Sequence, residues 1–154
     1  RHGFNNRIIT VLKFRTMRHE PGAPLKQVCA NDPRVTRVGA FLRRTSLDEL
    51  PQLFNVLRGE MSLVGPRPHA VGMKAAEREL EHIVSEYAHR HRVKPGITGW
   101  AQVNGSRGPI ETPAAVRRRL KLDLEYVSHA SLWLDLQILA RTAPVLFGDR
   151  KAAR

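Results

Sequence analysis

A single cysteine, Cys29, stands in this chain of 154 residues. It leaves no partner for an internal disulfide and fits a reducing compartment. Read by itself, it is a buried small hydrophobe. No apolar run reaches the ~18 residues that a bilayer-crossing helix needs, and no secretory leader pattern is visible. Neither G-x-G-x-x-G nor the Walker A pattern occurs, so neither a dinucleotide fold nor a P-loop is indicated. Internal repeats and low-complexity segments are absent as well. Acidic residues are scarce: 14 Asp and Glu face 26 Lys and Arg, a formal net charge of +12. Such an excess implies an anionic partner, whether nucleic acid, an anionic membrane surface or a phosphorylated substrate. Aromatic residues make up only 6%. Of these, only Phe14, Trp100 and Tyr126 stand among basic residues, and no nucleic-acid recognition motif is present. With 42% hydrophobic residues, what remains is a globular chain, one domain over 1–154 with a core of its own.

Its central stretch runs from Ser46 to Pro68. Asp48 and Glu49 open it. Leu50, Phe54 and Leu57 then recur at helical spacing, with Leu53 and Val56 widening the apolar face. Gly59 is the stop signal. Ser46-x-x-Glu49 fits a capping box, but Pro51 would then remove a helical N–H, so a start nearer Pro51 competes. Either way, both acids lie at the positive end of a helix, where carboxylates stay ionised. Neighbours at i, i+1 do not share a face, so the two acids are expected to have different partners. Beyond the helix, Gly65-Pro-Arg-Pro68 fixes Arg67 between two prolines. Acids mixed with arginines around a helix start suit a metal and a phosphate. Taken alone, the pair also reads as two ordinary first-turn acids.

On either side the signals are coarser. Ile8–Met17 alternates from Val11 onward and predicts a strand with Lys13 and Arg15 on one face. Such a cation pair suits an anion, or an edge strand guarded by charge. Pro21–Pro24 is a loop and Asn31–Pro33 a turn. Val35–Thr45 predicts a short basic helix, and Ala70–His91 a long charged one. On the latter, His89 and His91 have no third ligand nearby and read as surface residues rather than a zinc site. Trp100–Val103 predicts a short strand before an Asn104-Gly105 turn. The glycines between Arg92 and Arg107 suit either close approach to a phosphate or a basic hairpin. Thr112–Val127 predicts a basic helix. Ser131–Phe147, the most apolar stretch, suits either a core helix or one lying in a membrane interface.

Several long motifs now stand in order. They are Lys13-Phe-Arg-Thr-Met17, Asn31-Asp-Pro-Arg-Val-Thr-Arg-Val-Gly39 and Arg43-Arg-Thr-Ser-Leu-Asp-Glu-Leu-Pro-Gln-Leu-Phe-Asn-Val-Leu57. After these come Ser62-Leu-Val-Gly-Pro-Arg-Pro-His69 and Val93-Lys-Pro-Gly-Ile-Thr-Gly-Trp-Ala-Gln-Val-Asn-Gly105. Over nearly the whole chain they resemble the bacterial sugar transferase family, the monotopic phosphoglycosyl transferases. Pro66–Ala70 and His89–Gly96 look most like the members acting on undecaprenyl phosphate in exopolysaccharide and colanic-acid synthesis.

The resemblance implies a reaction. A UDP-sugar, with glucose as the expected sugar, donates sugar 1-phosphate to polyprenyl (undecaprenyl) phosphate, UMP leaves, and Mg²⁺ is required. It places Asp48 as the nucleophile and Glu49 as the metal-binding partner of a catalytic dyad. Lys13, Arg15, Arg43 and Arg67 fall on the family's basic positions, expected on substrate phosphates. Gln102 and Asp123 fall in motifs near the substrate. The implied fold is α+β, a compact helix-rich catalytic domain with a small sheet or hairpin. The implied location is the cytoplasmic face of the bacterial inner membrane, on an anionic surface and without a nucleic-acid partner. Family members carry an upstream hydrophobic segment that enters and leaves the same membrane face, and this sequence is expected to begin after it.

Overall fold

The structure, a computed structural model, describes residues 1–18, 32–72, 74–75, 78–79, 85–108, 110 and 112–146. Among these are the helices α1 (Arg37–Arg44), α2 (Gln52–Leu57), α3 (Trp100–Val103), α4 (Pro113–His129) and α5 (Leu132–Leu146). The strands are β1 (Ser62–Val64), β2 (Lys74–Ala75), β3 (Arg78–Glu79) and β4 (Gly96–Thr98). The result is helix-rich with very small sheets. Cys29, the Pro21–Pro24 loop, Asn31 and Phe147 lie outside the described residues.

Helix α4 organises the core. The Thr112 hydroxyl accepts a hydrogen bond from the Ala115 amide at 3.2 Å, and Pro113 fills a first-turn position where no N–H is needed. Val116 and Leu120 pack with Tyr87 and Ile110. Further along, Tyr126 packs with Val64 of β1 and Ile138 of α5. Its hydroxyl donates to Asp135 at 2.8 Å and ties α4 to α5. The core-helix reading of the apolar segment holds on one face of α5, and the opposite face is exposed. Ile138 is fully buried, whereas Leu132 and Trp133 are 77% and 71% exposed.

Strands β1 and β4 run parallel, Ser62 opposite Gly96 and Val64 opposite Thr98. The glycines of the Arg92–Arg107 stretch serve this pairing. A Cβ on Gly96 would meet the Val64 carbonyl carbon at 2.6 Å, and one on Gly99 would collide with the Gly65 carbonyl. The close approach they permit is backbone to backbone, not the hairpin of the sequence reading.

Five expectations are corrected. Among the described residues Ile8–Met17 forms no strand ladder, and isolated bridges join Ile8 to His2 and Met17 to Val35. Its backbone groups are satisfied by the α2 region instead. Asn55, fully buried, accepts from the Leu12 amide at 3.0 Å and donates to the Thr10 carbonyl at 2.8 Å. Trp100–Val103 is a helical turn, because the strand has already been spent on Gly96–Thr98. The Ala70–His91 helix is replaced by the β2–β3 pair and a 3-10 helix over Ser85–Arg92. That stretch has charge but no apolar periodicity, and Gly72 takes φ +67°. Within it His89 is exposed but His91 is buried, stacked on His2 with ring centres 5.5 Å apart. Finally, α2 is inverted. Gln52 and Asn55 are buried while Phe54 and Leu57 are 60% and 83% exposed.

Candidate active site

Asp48 and Glu49 occupy a 3-10 turn, Leu47–Glu49, between α1 and α2. The capping box does not form. Ser46 has φ +56° and makes no side-chain cap, and α2 begins at Gln52 behind Pro51. Proline explains the break, since it has no amide to donate and ends one turn as the next begins. Gly59, at φ +73°, closes the helix in the left-handed conformation expected of a stop signal.

The two acids do have different surroundings. Glu49 is gripped from two sides. Lys13 Nζ lies 2.6 Å from Oε1. Arg67 forks onto the carboxylate, Nη1 to Oε2 at 2.9 Å and Nη2 to Oε1. Burial alone would raise its pKa, but Arg67 and Lys13 overcome that and hold it at about 2. Burial also lowers Lys13, helped by the like charge of Arg67 and opposed by Glu49. Arg67 shifts upward despite its burial, because Glu49 sits in its fork. Asp48 is buried, with its carbonyl fixed by the Phe14 amide at 3.0 Å. Burial and then the Glu49 charge push its carboxyl above the ordinary value, against the pull of Lys13, Arg43 and Arg67. Arg1 joins the same field and donates to the Pro68 carbonyl at 3.0 Å. Four cations thus surround two carboxylates, an arrangement suited to the multiply charged phosphate of a substrate.

This pairing sets a pH window. A depressed carboxyl pKa contributes stability that is present above the unfolded value of 4.5 and is lost as pH falls toward about 2. The melting temperatures of wild type and Glu49→Gln are therefore expected to differ most at neutral pH and to converge below pH 4.5. Parallel melting curves across that range would mean the clamp adds no stability.

The corner after β1 positions Arg67. Pro66 and Pro68 have no N–H to donate, so the corner is held by its carbonyls. Gly96 N donates to Pro66 O at 3.1 Å. Arg90 Nη2 donates to Arg67 O at 2.6 Å. Arg1 supplies the third grip, on Pro68. Arg90 is itself buried, paired with Asp123 of α4 at 2.7 Å. Its Nη1 donates to His69 Nδ1 at 2.6 Å and to the Tyr87 hydroxyl at 3.1 Å. A guanidinium can only donate, so Nδ1 is the acceptor and the ring proton of His69 lies on Nε2. Burial and the nearby arginines, Arg90 first, keep that ring neutral.

The residues singled out in the sequence are thus distributed. Asp48, Glu49, Lys13 and Arg67 come together, with Arg43 within electrostatic reach of Asp48. Arg15 is exposed. Gln102 donates to the Ile97 carbonyl at 3.2 Å and lies in the turn after β4. Asp123 serves Arg90. Arg1, His69, Tyr87 and Arg90 were not marked by the sequence reading. His69 and Arg90 lie inside the motifs quoted above without being singled out there, and Tyr87 and Arg90, three positions apart, stack at 5.3 Å. A metal would find hard oxygen donors in this dyad. Two carboxylates, with phosphate oxygens and water completing the shell, match the way Mg²⁺ is usually held. Both Glu49 oxygens are engaged by cations, so metal binding there requires an exchange of partners.

Comparison with known proteins gives this geometry its context. The profile of the family described as bacterial sugar transferase matches residues 1–149. The chain is 56% identical over 144 residues to an undecaprenyl-phosphate glucose phosphotransferase of Komagataeibacter xylinus, covering 92% of the chain and 27% of that protein. It is also similar to two proteins named UDP-glucose:undecaprenyl-phosphate glucose-1-phosphate transferase. For that of Xanthomonas campestris pv. campestris the identity is 49%, over 99% of the chain and 31% of the relative. For that of Escherichia coli (strain K12) it is 52%, over 92% of the chain and 30% of the relative. The chain therefore spans under a third of the length of these curated relatives.

Proposed function

This chain belongs to the bacterial sugar transferase family, and from that premise we propose that it is the catalytic part of a protein that transfers glucose 1-phosphate from UDP-glucose to undecaprenyl phosphate. The observation that carries the reading is the naming of three relatives, 49–56% identical over nearly the whole chain, for this activity or substrate pair. An acidic dyad in a basic pocket supports it.

In this reading a carboxylate oxygen of Asp48 attacks the β-phosphorus of UDP-glucose. The phosphoanhydride bond breaks, and UMP departs with the bridging oxygen and its electron pair. Asp48 then carries the sugar phosphate as an acyl phosphate, as in other aspartyl-phosphate enzymes. An oxygen of undecaprenyl phosphate attacks the same phosphorus and frees the carboxylate. Phosphoryl transfer depends on in-line positioning and charge neutralisation more than on proton transfer. Lys13, Arg43 and Arg67 meet that need by orienting the phosphates. Glu49 is the residue to hold Mg²⁺, which when bound neutralises phosphate charge. The test is UMP release across a panel of UDP-sugars with Mg²⁺ and undecaprenyl phosphate, using the protein at its full natural length. UDP-glucose is the expected substrate. No UMP from any of them would overturn the proposal.

Arg67→Lys is expected to cut turnover roughly tenfold or more while leaving the melting temperature within a degree or two, since lysine offers one point charge where arginine offers a fork. Equal loss of stability and activity would make the residue structural.

We place the protein at the cytoplasmic face of the inner membrane. No helix among the described residues is long and apolar enough to cross a bilayer. The outward apolar faces support a surface contact. Val38, Phe54 and Leu57 on α1 and α2, and Leu132 and Trp133 on α5, are each at least 60% exposed. Binding to anionic vesicles is expected to weaken as salt rises. Replacing both Phe54 and Leu57 by serine should lower it further, on the order of tenfold, because two apolar side chains no longer enter the headgroup layer. Unchanged flotation of that variant would remove α2 from the contact.

A further inference from the structure

We infer that Arg90 is a positioning residue for the transfer reaction, holding the Pro66-Arg67-Pro68 corner so that the Arg67 guanidinium reaches Glu49 and the substrate phosphates. This rests on the function proposed above.

The argument is one of connectivity. Arg90 is 2% exposed, and a buried guanidinium is costly unless its charge is met, here by Asp123. Its partners lie on three separate parts of the fold: Asp123 on α4, the carbonyl of Arg67 on the corner, and His69 Nδ1 just beyond it. The link to Arg67 fixes the peptide between Arg67 and Pro68, and so the direction in which the Arg67 side chain leaves the backbone. A continuous path results, from α4 through Asp123 and Arg90 to Arg67, and from Arg67 to the carboxylate beside Asp48. Only arginine suits the post. A planar fork reaches several acceptors in fixed directions, while an ammonium group is a single point. Neither the Gly96 nor the Arg1 grip offers this, since one is a backbone amide and the other comes from a part-buried residue.

Arg90→Lys keeps one nitrogen for the place where Nη2 meets both Asp123 and the Arg67 carbonyl, but it loses the Nη1 arm to His69 and Tyr87 that fixes the direction of the fork. In UMP release it is expected to lower kcat/KM by about 10- to 100-fold, the scale of a misplacement near 1 Å. The decisive measurement is a double-mutant cycle with Arg67→Lys. If Arg90 acts through Arg67, adding Arg90→Lys to Arg67→Lys costs less than about twofold more. If the two losses multiply, Arg90 merely supports the fold and the inference falls. Should Arg90→Lys fail to fold, Asp123→Asn takes its place in the cycle with the same expected coupling. A second readout is independent of the reaction. The melting difference between proteins with and without Glu49→Gln at neutral pH should shrink in the Arg90→Lys background to the part that Lys13 supplies. If it is undiminished, Arg67 is still in place and the inference fails even where no UMP is formed by wild type. A wild type inactive toward every sugar nucleotide would instead sink the proposed function.

Discussion

Asp48→Asn is expected to lose turnover on the order of 10³-fold or more, the scale seen when other catalytic nucleophiles are removed. Asparagine keeps the size and shape of the side chain, and the carbonyl that receives the Phe14 amide belongs to the backbone, so the fold should be retained. What disappears is the anion that attacks in the proposed mechanism. The two-step mechanism adds a sharper demand. Given UDP-glucose and Mg²⁺ but no lipid acceptor, wild type should gain the mass of one sugar phosphate. The adduct should map to Asp48, show the lability of an acyl phosphate, and vanish when undecaprenyl phosphate is added. Glu49→Gln should fail as well, with partial rescue at higher Mg²⁺. UMP formed only in the presence of lipid, with no adduct trapped, would favour direct transfer and remove Asp48 from the role. Because burial and Glu49 raise the Asp48 carboxyl pKa, turnover should fall on the acid side before ordinary carboxylates titrate.

Gly96→Ala should be a strongly damaging change outside the dyad. The added Cβ would lie 2.5 Å from the Thr98 carbonyl and 2.6 Å from the Val64 carbonyl carbon. Both are backbone, with no flexible end to yield. Relief requires β1 and β4 to part, which endangers the Gly65 amide to Thr98 carbonyl bond at 2.9 Å and the grip on Pro66. Overpacking of this kind together with lost hydrogen bonds costs on the order of 3 kcal/mol, or roughly 6–12 °C in melting temperature for a domain of this size. Gly72→Ala is the control. Gly72 has φ +67° but nothing within 4 Å of the added Cβ, so only backbone strain of about 1 kcal/mol applies. Similar melting of the two variants would show that the strand pair tolerates separation.

The parts of this fold legible in the sequence were those whose signal is local. Gly59 beyond Leu57 as a stop signal and the basic helix over Thr112–Val127 are both set by signals within a few turns of chain. Asp48, Glu49 and Arg67 were legible for a second reason, as parts of long motifs. Where the reading failed, distant partners decided the outcome. Ile8–Met17 has strand composition, but a buried asparagine 43 positions from Leu12 takes up its backbone groups. Residues 50–57 have an apolar stripe, yet that same Asn55 must face inward, and the stripe is turned to solvent. His91 and Arg90 lie in a run of charge that ordinarily means a wetted surface. Burial of Arg90 is stable only because Asp123, 33 positions on in the numbering, lies opposite, and no local pattern announces that.

The grip on Glu49 has a consequence for how activity emerges during folding. Lys13 reaches it across 36 positions of sequence and Arg67 across 18. Each contact requires a loop to close, and closure entropy is lost before the ion pair returns anything. A chain with its helices formed but either loop open has no assembled pocket. Refolding followed by activity should therefore lag behind refolding followed by helix content, with no phase in which a partly ordered chain turns over substrate at a reduced rate.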